Sequence, residues 1–193
     1  QLALPLPLGV EGLAEWFDLE FAEGIDPDQA RQRLQAELPV GLTLHAVRTV
    51  PVQGPSLSQE LRAAQWWIEL LPAEAAWSPS EPTGRQPEPP WPGPERWRRA
   101  IDDLLARQTL LWEDTDKKGR PRQRDCRPYL QSLELVALRS DPQPAMAEMC
   151  FEAAIDPQGR SLRPEQLRAW IGEGLGMELR LGRLRRLALT LMA

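Results

Sequence analysis

Lys117 to Pro128, KKGRPRQRDCRP, is where this sequence could do chemistry: Lys117, Lys118, Arg120, Arg122, Arg124 and Arg127 crowd into one short stretch. Arg120, Arg122 and Arg124 share parity, so on a strand they project to one face. A row of guanidinium groups of that kind grips phosphates or carboxylates through paired N–H donors. The same row would equally keep an exposed strand edge soluble and unable to pair with other chains.

Other chemistries lack their parts. His45 is the only histidine, so a Ser-His-Asp triad, a Cys-His pair and a histidine-rich metal site have nothing to assemble. Cys126 and Cys150 are the only cysteines and lie far apart, which rules out a three-cysteine loop for a 4Fe–4S cluster within this sequence. No GxxxxGK[ST] phosphate loop occurs, and the glycines from Gly172 to Gly176 follow a helical pattern instead of opening one, the wrong context for cradling a pyrophosphate. The carboxylate pairs Asp102 with Asp103 and Glu113 with Asp114 are adjacent, so they diverge on a helix or strand.

The elements that must position the basic stretch read as strands alternating with single helices. Thr109 to Thr115 and Arg120 to Cys126 flank Asp116, Lys117, Lys118 and Gly119, which predicts a hairpin whose turn uses the glycine. Upstream, Ala14 to Ala22 alternates, with Phe17, Leu19 and Phe21 expected in the core. Asp26 and Pro27 open a helix with a stripe at Ala30, Leu34 and Leu38, and Leu42 to Val50 alternates again. Ala63 to Leu71 is a strand, Pro94 opens a helix through Trp97, Ile101, Leu104 and Leu105, and Leu133 to Arg139 and Ala147 to Ile155 are strands. Pro164 starts a helix that Gly172 to Gly176 ends, and Leu184 to Met192 is the last strand. Residues 72–95 hold eight prolines, too many for ladder or helix bonding, so they read as an extended surface insertion. Its Trp77 and Trp91 are expected to dock on the domain surface. Pro5 and Pro7 place Leu4 to Gly12 at a sheet edge.

Hydrophobic residues make up 42% of the 193, enough for a real core. The net charge of −5 is segregated: residues 1–95 and 128–159 are acidic on balance, residues 96–127 and 160–193 basic. That pattern fits local anion binding and not a generally basic nucleic-acid binder. Two unpaired cysteines, no apolar run of about 18 residues and no secretory pattern place the chain in the cytoplasm, away from membranes.

The order ALPLPLGVEGLAEWFDLEF, DPDQARQRLQAELPVGL, TDKKGRPRQRDCRPYLQSLEL and GRSLRPEQL resembles domain of unknown function 2344, found beside or fused to B12-binding radical SAM proteins. The resemblance implies that an opening strand, a helix and a loop rich in Asn, His and Pro precede Ala3, so the chain is expected to be an N-terminal truncation. It implies an α+β fold, a two-layer α/β sandwich of tandem ferredoxin-like units: an incomplete first unit over residues 1–61, and a second over residues 62–193 carrying the Pro-rich insertion. It implies association with a radical SAM protein that supplies the 4Fe–4S cluster, S-adenosylmethionine and cobalamin, with no cofactor, metal or catalytic residue in this chain. On that basis the expected role is a non-catalytic accessory or substrate-binding domain. By analogy with other ferredoxin-like sheets, tRNA or rRNA would lie on Lys117, Lys118, Arg120, Arg122, Arg124 and Arg127. The alternative is a protein-interaction module docking through the insertion and its tryptophans.

Overall fold

Two strands with matching alternation build the centre of the molecule. In β2 (Leu61–Pro72) Ala64, Trp66, Ile68 and Leu70 are buried while Gln65 is exposed and Trp67 and Glu69 half-buried. In β6 (Met146–Ala154) Ala147, Met149, Phe151 and Ala153 are buried and alternate with half-buried Glu148, Cys150 and Glu152. The antiparallel register sets Trp66 opposite Phe151 and Ile68 opposite Met149. One apolar face therefore runs across both strands, with the Trp66 and Phe151 rings stacked at 6.2 Å. The computed structural model describes residues 2–73, 91–115, 118–140 and 145–192. Trp77 and most of the Pro-rich insertion lie outside them.

The remaining elements, in chain order, are β1 (Val10–Gly12), α1 (Pro27–Glu37), α2 (Leu57–Glu60), α3 (Pro94–Ala106), β3 (Leu111–Thr115), β4 (Pro121–Asp125), a 3₁₀ turn at Arg127–Tyr129, β5 (Leu130–Arg139), α4 (Pro164–Leu175) and β7 (Leu179–Leu191). Five strands form one sheet in the order β1-β7-β2-β6-β5, and β3 and β4 form a separate hairpin. All pairs in the large sheet are antiparallel except β1 with β7. The fold is thus α+β. Helices α3 and α4 bury Trp97, Ile101, Leu104, Leu167, Trp170, Ile171 and Leu175 in the core that the sheet shares. At these levels of burial each large side chain contributes roughly 1.5–3 kcal/mol. Among the described residues no helix is long and apolar enough to cross a membrane.

The helix starts and stops follow local chemistry. Asp26 Oδ1 accepts hydrogen bonds from the Asp28 and Gln29 amides at 3.0 and 3.2 Å, and proline occupies the first turn of α1, α3 and α4. Helix α4 ends at Gly176 in the left-handed region, φ 64°. There the Met177 amide reaches back to the Gly172 carbonyl at 3.0 Å. A Cβ on Gly172 would stand 2.8 Å from the Met177 carbonyl oxygen, so the turn admits no side chain at that position.

The N-terminal third departs from the alternation reading. Neither 14–22 nor 42–50 forms a strand; Phe17 makes one isolated bridge, with Leu2. Phe17, Leu19 and Phe21 are exposed at 38%, 51% and 44%, not in the core. The opposite parity is the anchored one: Trp16 Nε1 donates to the Leu189 carbonyl at 3.3 Å, and the Arg48 guanidinium lies 5.0 Å over the Trp16 ring. Period-two alternation marks two faces, but which face turns inward depends on what the rest of the chain presents. Residues 42–50 are held at their start by Gln35 of α1, whose side chain donates to the Leu42 carbonyl and accepts from the Leu44 amide. The expected edge strand begins only after the prolines, at Val10, which faces Leu184 of β7. β7 itself starts five residues earlier than expected, at Leu179. Trp91 packs at 5.4 Å on Trp97, as docking requires.

Candidate anion-binding interface

Hairpin β3–β4 is a consequence of its turn and its base. Gly119 adopts φ 75°, which suits glycine there. Below the two strands, Asp125 Oδ1 accepts from the Leu110 amide at 2.8 Å and the Arg127 amide at 2.9 Å. The Cys126 amide donates to the Leu110 carbonyl at 2.7 Å. The register sets Trp112 opposite Arg124 and Asp114 opposite Arg122, so these four side chains share one face of the ribbon. Trp112 meets Trp170 of α4 edge-on, with ring centres 5.9 Å apart. The hairpin therefore rests on the helical layer.

The six expected basic residues separate into three groups. Lys117 lies outside the described residues, and Lys118 and Arg120 are exposed at the turn. Arg122 is exposed on β4, and Arg124, two residues on, is half-buried with its guanidinium 5.7 Å from the Tyr129 ring centre. Arg127 turns the other way. Its Nε donates to the Arg107 carbonyl at 2.9 Å, Nη1 to Leu130 at 2.8 Å and Nη2 to Leu105 at 3.0 Å. It thus satisfies carbonyls that the end of α3 leaves open and places a cation at the negative end of the helix dipole. Arg127 ties the hairpin base to α3 instead of joining the row on β4.

Three further residues complete the cluster. The loop after β6 turns through Gly159, φ 73°, and folds around Asp156. Asp156 Oδ1 accepts from the Gln158 and Arg160 amides at 2.9 and 2.8 Å. Asp156 Oδ2 accepts from the Tyr129 hydroxyl at 2.9 Å and pairs with Arg160 Nε at 3.1 Å. Burial pushes the Asp156 carboxyl up, but hydrogen bonds from the Arg160 amide, the Tyr129 hydroxyl and the Gln158 amide outweigh it and hold the group below the usual carboxylate range. Burial, then the hydrogen bond to Asp156, raises the Tyr129 phenol, while Arg160 and Arg124 pull it down. Both arginines therefore face Tyr129. The DPQGR turn signature was visible in the sequence; its closure onto Tyr129 and the hairpin was not.

The face of the sheet away from the helices carries both signs of charge, with Arg139 paired to Glu148 at 3.0 Å and Arg185 opposite Trp67. The register places Glu69 opposite Glu148 and Gln65 opposite Glu152, with Glu134 opposite Cys150 on the outer strand. Burial, followed by Glu134 and Glu148, raises the Cys150 thiol, which leaves it a poor nucleophile at neutral pH. Trp67, the aromatic of this face, is covered by Arg185 at 5.0 Å. Among the described residues no three His, Cys, Asp or Glu side chains group as metal ligands.

A family model described as "Uncharacterized protein conserved in bacteria (DUF2344)" matches residues 1–164. The chain belongs to this family. No curated protein matches it. The matched span contains the whole hairpin, Tyr129, Asp156 and Arg160, and ends at Pro164, the first residue of α4. Strand β7 lies beyond it.

Proposed function

We propose that this DUF2344 chain is an accessory domain, without catalysis of its own, that holds an RNA substrate for a radical SAM protein in the cytoplasm. One observation carries the RNA contact: Arg122 and Arg124 share a face of β4, next to Arg160 at Tyr129. A polyanion is attracted to that surface. The motif order in the sequence supports the radical SAM association, and the 4Fe–4S cluster, S-adenosylmethionine and cobalamin belong in that reading to the catalytic partner. Leu8, Leu13, Leu19, Phe21, Val40, Leu42 and Val52 are exposed in the N-terminal third, and such surface favours a protein contact there.

The finer architecture belongs to the same reading. The succession β2-α3-β5-β6-α4-β7 with the order β7-β2-β6-β5 supports a ferredoxin-like unit over residues 62–193, with residues 1–61 as part of a first one. Binding of tRNA over a salt series tests the function: affinity that falls steeply with salt is expected, and no binding at low salt would overturn it.

A further inference from the structure

The half-buried guanidinium of Arg124 is incompletely used. Its Nε lies out of contact with solvent and has no hydrogen-bond partner among the described residues, although such a donor nearly always finds an acceptor. Its guanidinium stands over Tyr129, and the hydroxyl of that tyrosine meets Asp156 Oδ2, where Arg160 also binds. Two cations and one carboxylate thus converge on a single ring, leaving one net positive charge. That balance suits a monoanion, and an internal phosphodiester carries one negative charge where a terminal phosphate carries nearly two.

We infer that Arg124, Tyr129 and Arg160 form a notch for one phosphodiester group of a nucleic-acid strand, which the Arg124 guanidinium meets by turning its enclosed Nε–H outward. The inference deepens the RNA reading and rests on it. Arg122, two residues along the same strand, stands about 6.6–6.8 Å away along the backbone and meets the next part of the sugar-phosphate chain in the open, as a screened charge. Arg124 and Arg160 fix the position of the strand, and Arg122 adds attraction without register.

The test uses the full chain, labelled so that the arginine Nε–H signals are seen by NMR, with the Arg124 signal assigned from Arg124→Lys. Titration with the dinucleotide UpU, which has one phosphodiester and no terminal phosphate, is expected to shift that signal more than UMP or inorganic phosphate does at equal concentration. Arg124→Lys, which keeps the charge, is expected to weaken UpU about tenfold, the loss of one charge-assisted hydrogen bond. Arg160→Gln is expected to do the same, while Arg122→Gln weakens tRNA at low salt and leaves UpU unchanged. An Arg124 signal that UpU does not move, or stronger binding of UMP or inorganic phosphate, overturns the notch. Because the wild-type signal is read directly, that outcome does not depend on how a variant folds. If tRNA binds and UpU leaves Arg124 untouched, the notch alone fails; if tRNA does not bind at low salt, the RNA reading fails with it.

Discussion

Arg186 on β7 and Glu15 before the first helix, 171 positions apart, form an ion pair in which the guanidinium Nε donates to Glu15 Oε1 at 2.8 Å and Nη2 to Oε2. Arg186 is 1% exposed. It spends its remaining donors on the Leu4 and Pro5 carbonyls at 2.8 and 3.3 Å. One side chain thereby fastens the N-terminal segment to the edge of the sheet, beside the parallel pairing of β1 with β7.

Removing Glu15 leaves a buried cation with two carbonyls and the Trp66 ring, 5.8 Å away, but no counter-charge. Because Glu15 is partly exposed, with side-chain accessibility of 21%, Glu15→Ala should cost about 2–4 kcal/mol, below the full penalty for breaking a fully buried pair. Urea unfolding reads this directly. Arg186→Met combined with Glu15→Leu should restore much of the loss, since replacing both members leaves no buried charge unpaired.

Arg127 is a structural residue among binding candidates, and its variants should show it. Arg127→Lys cannot reproduce three bonds to Arg107, Leu130 and Leu105 and should destabilise the chain by roughly 1.5–3 kcal/mol in a thermal or urea melt. Its RNA affinity, measured where the variant is folded, should stay within twofold of wild type. A loss of affinity without a loss of stability would put Arg127 back in the interface.

Asp156 and Tyr129 give the fold two pH limbs. The Asp156 carboxyl lies below its ordinary value in the folded chain, so its contribution is complete above about pH 4 and disappears as the pH falls through the lowered folded value. The Tyr129 phenol lies above its ordinary value of 10.0, so its contribution is present below about pH 10 and is lost as the pH rises through the folded value. Asp156→Asn should flatten the acid limb of stability against pH, and Tyr129→Phe the alkaline one. Unchanged limbs in both variants would show that the network contributes nothing to folding.

Gly172→Ala should destabilise the chain by about 1–3 kcal/mol, because the added methyl meets the Met177 carbonyl and the backbone after α4 has to shift. Gly174→Ala is the control: its Cβ would sit 3.4 Å from that of Ala100, an ordinary contact, so a neutral or slightly favourable effect is expected from better helix propensity. Thermal melts of the two variants side by side separate the steric effect from the helical one.

Local chemistry was legible in the sequence wherever an element carries its own instruction. Asp26 with Pro27, Pro94, Pro164, Gly119 and Gly176 mark starts, turns and stops through groups a few residues away, and each holds in the structure. The strands read at Ala63 to Leu71 and Ala147 to Ile155 also held, and lying side by side they bury the same face. Tertiary structure alone decided the parity at Trp16 and Phe17, since an isolated alternating segment does not specify which face meets the core. It also decided which arginines are drawn into the fold. Arg122, Arg124 and Arg127 are nearly neighbours in sequence, yet Arg127 is drawn to carbonyls at the end of α3 while Arg124 meets Tyr129 and the loop of Asp156 and Arg160. Guanidinium groups are chemically alike, and only the position of acceptors and carboxylates distant in sequence separates the one that ties the hairpin to α3 from the one that stands over Tyr129.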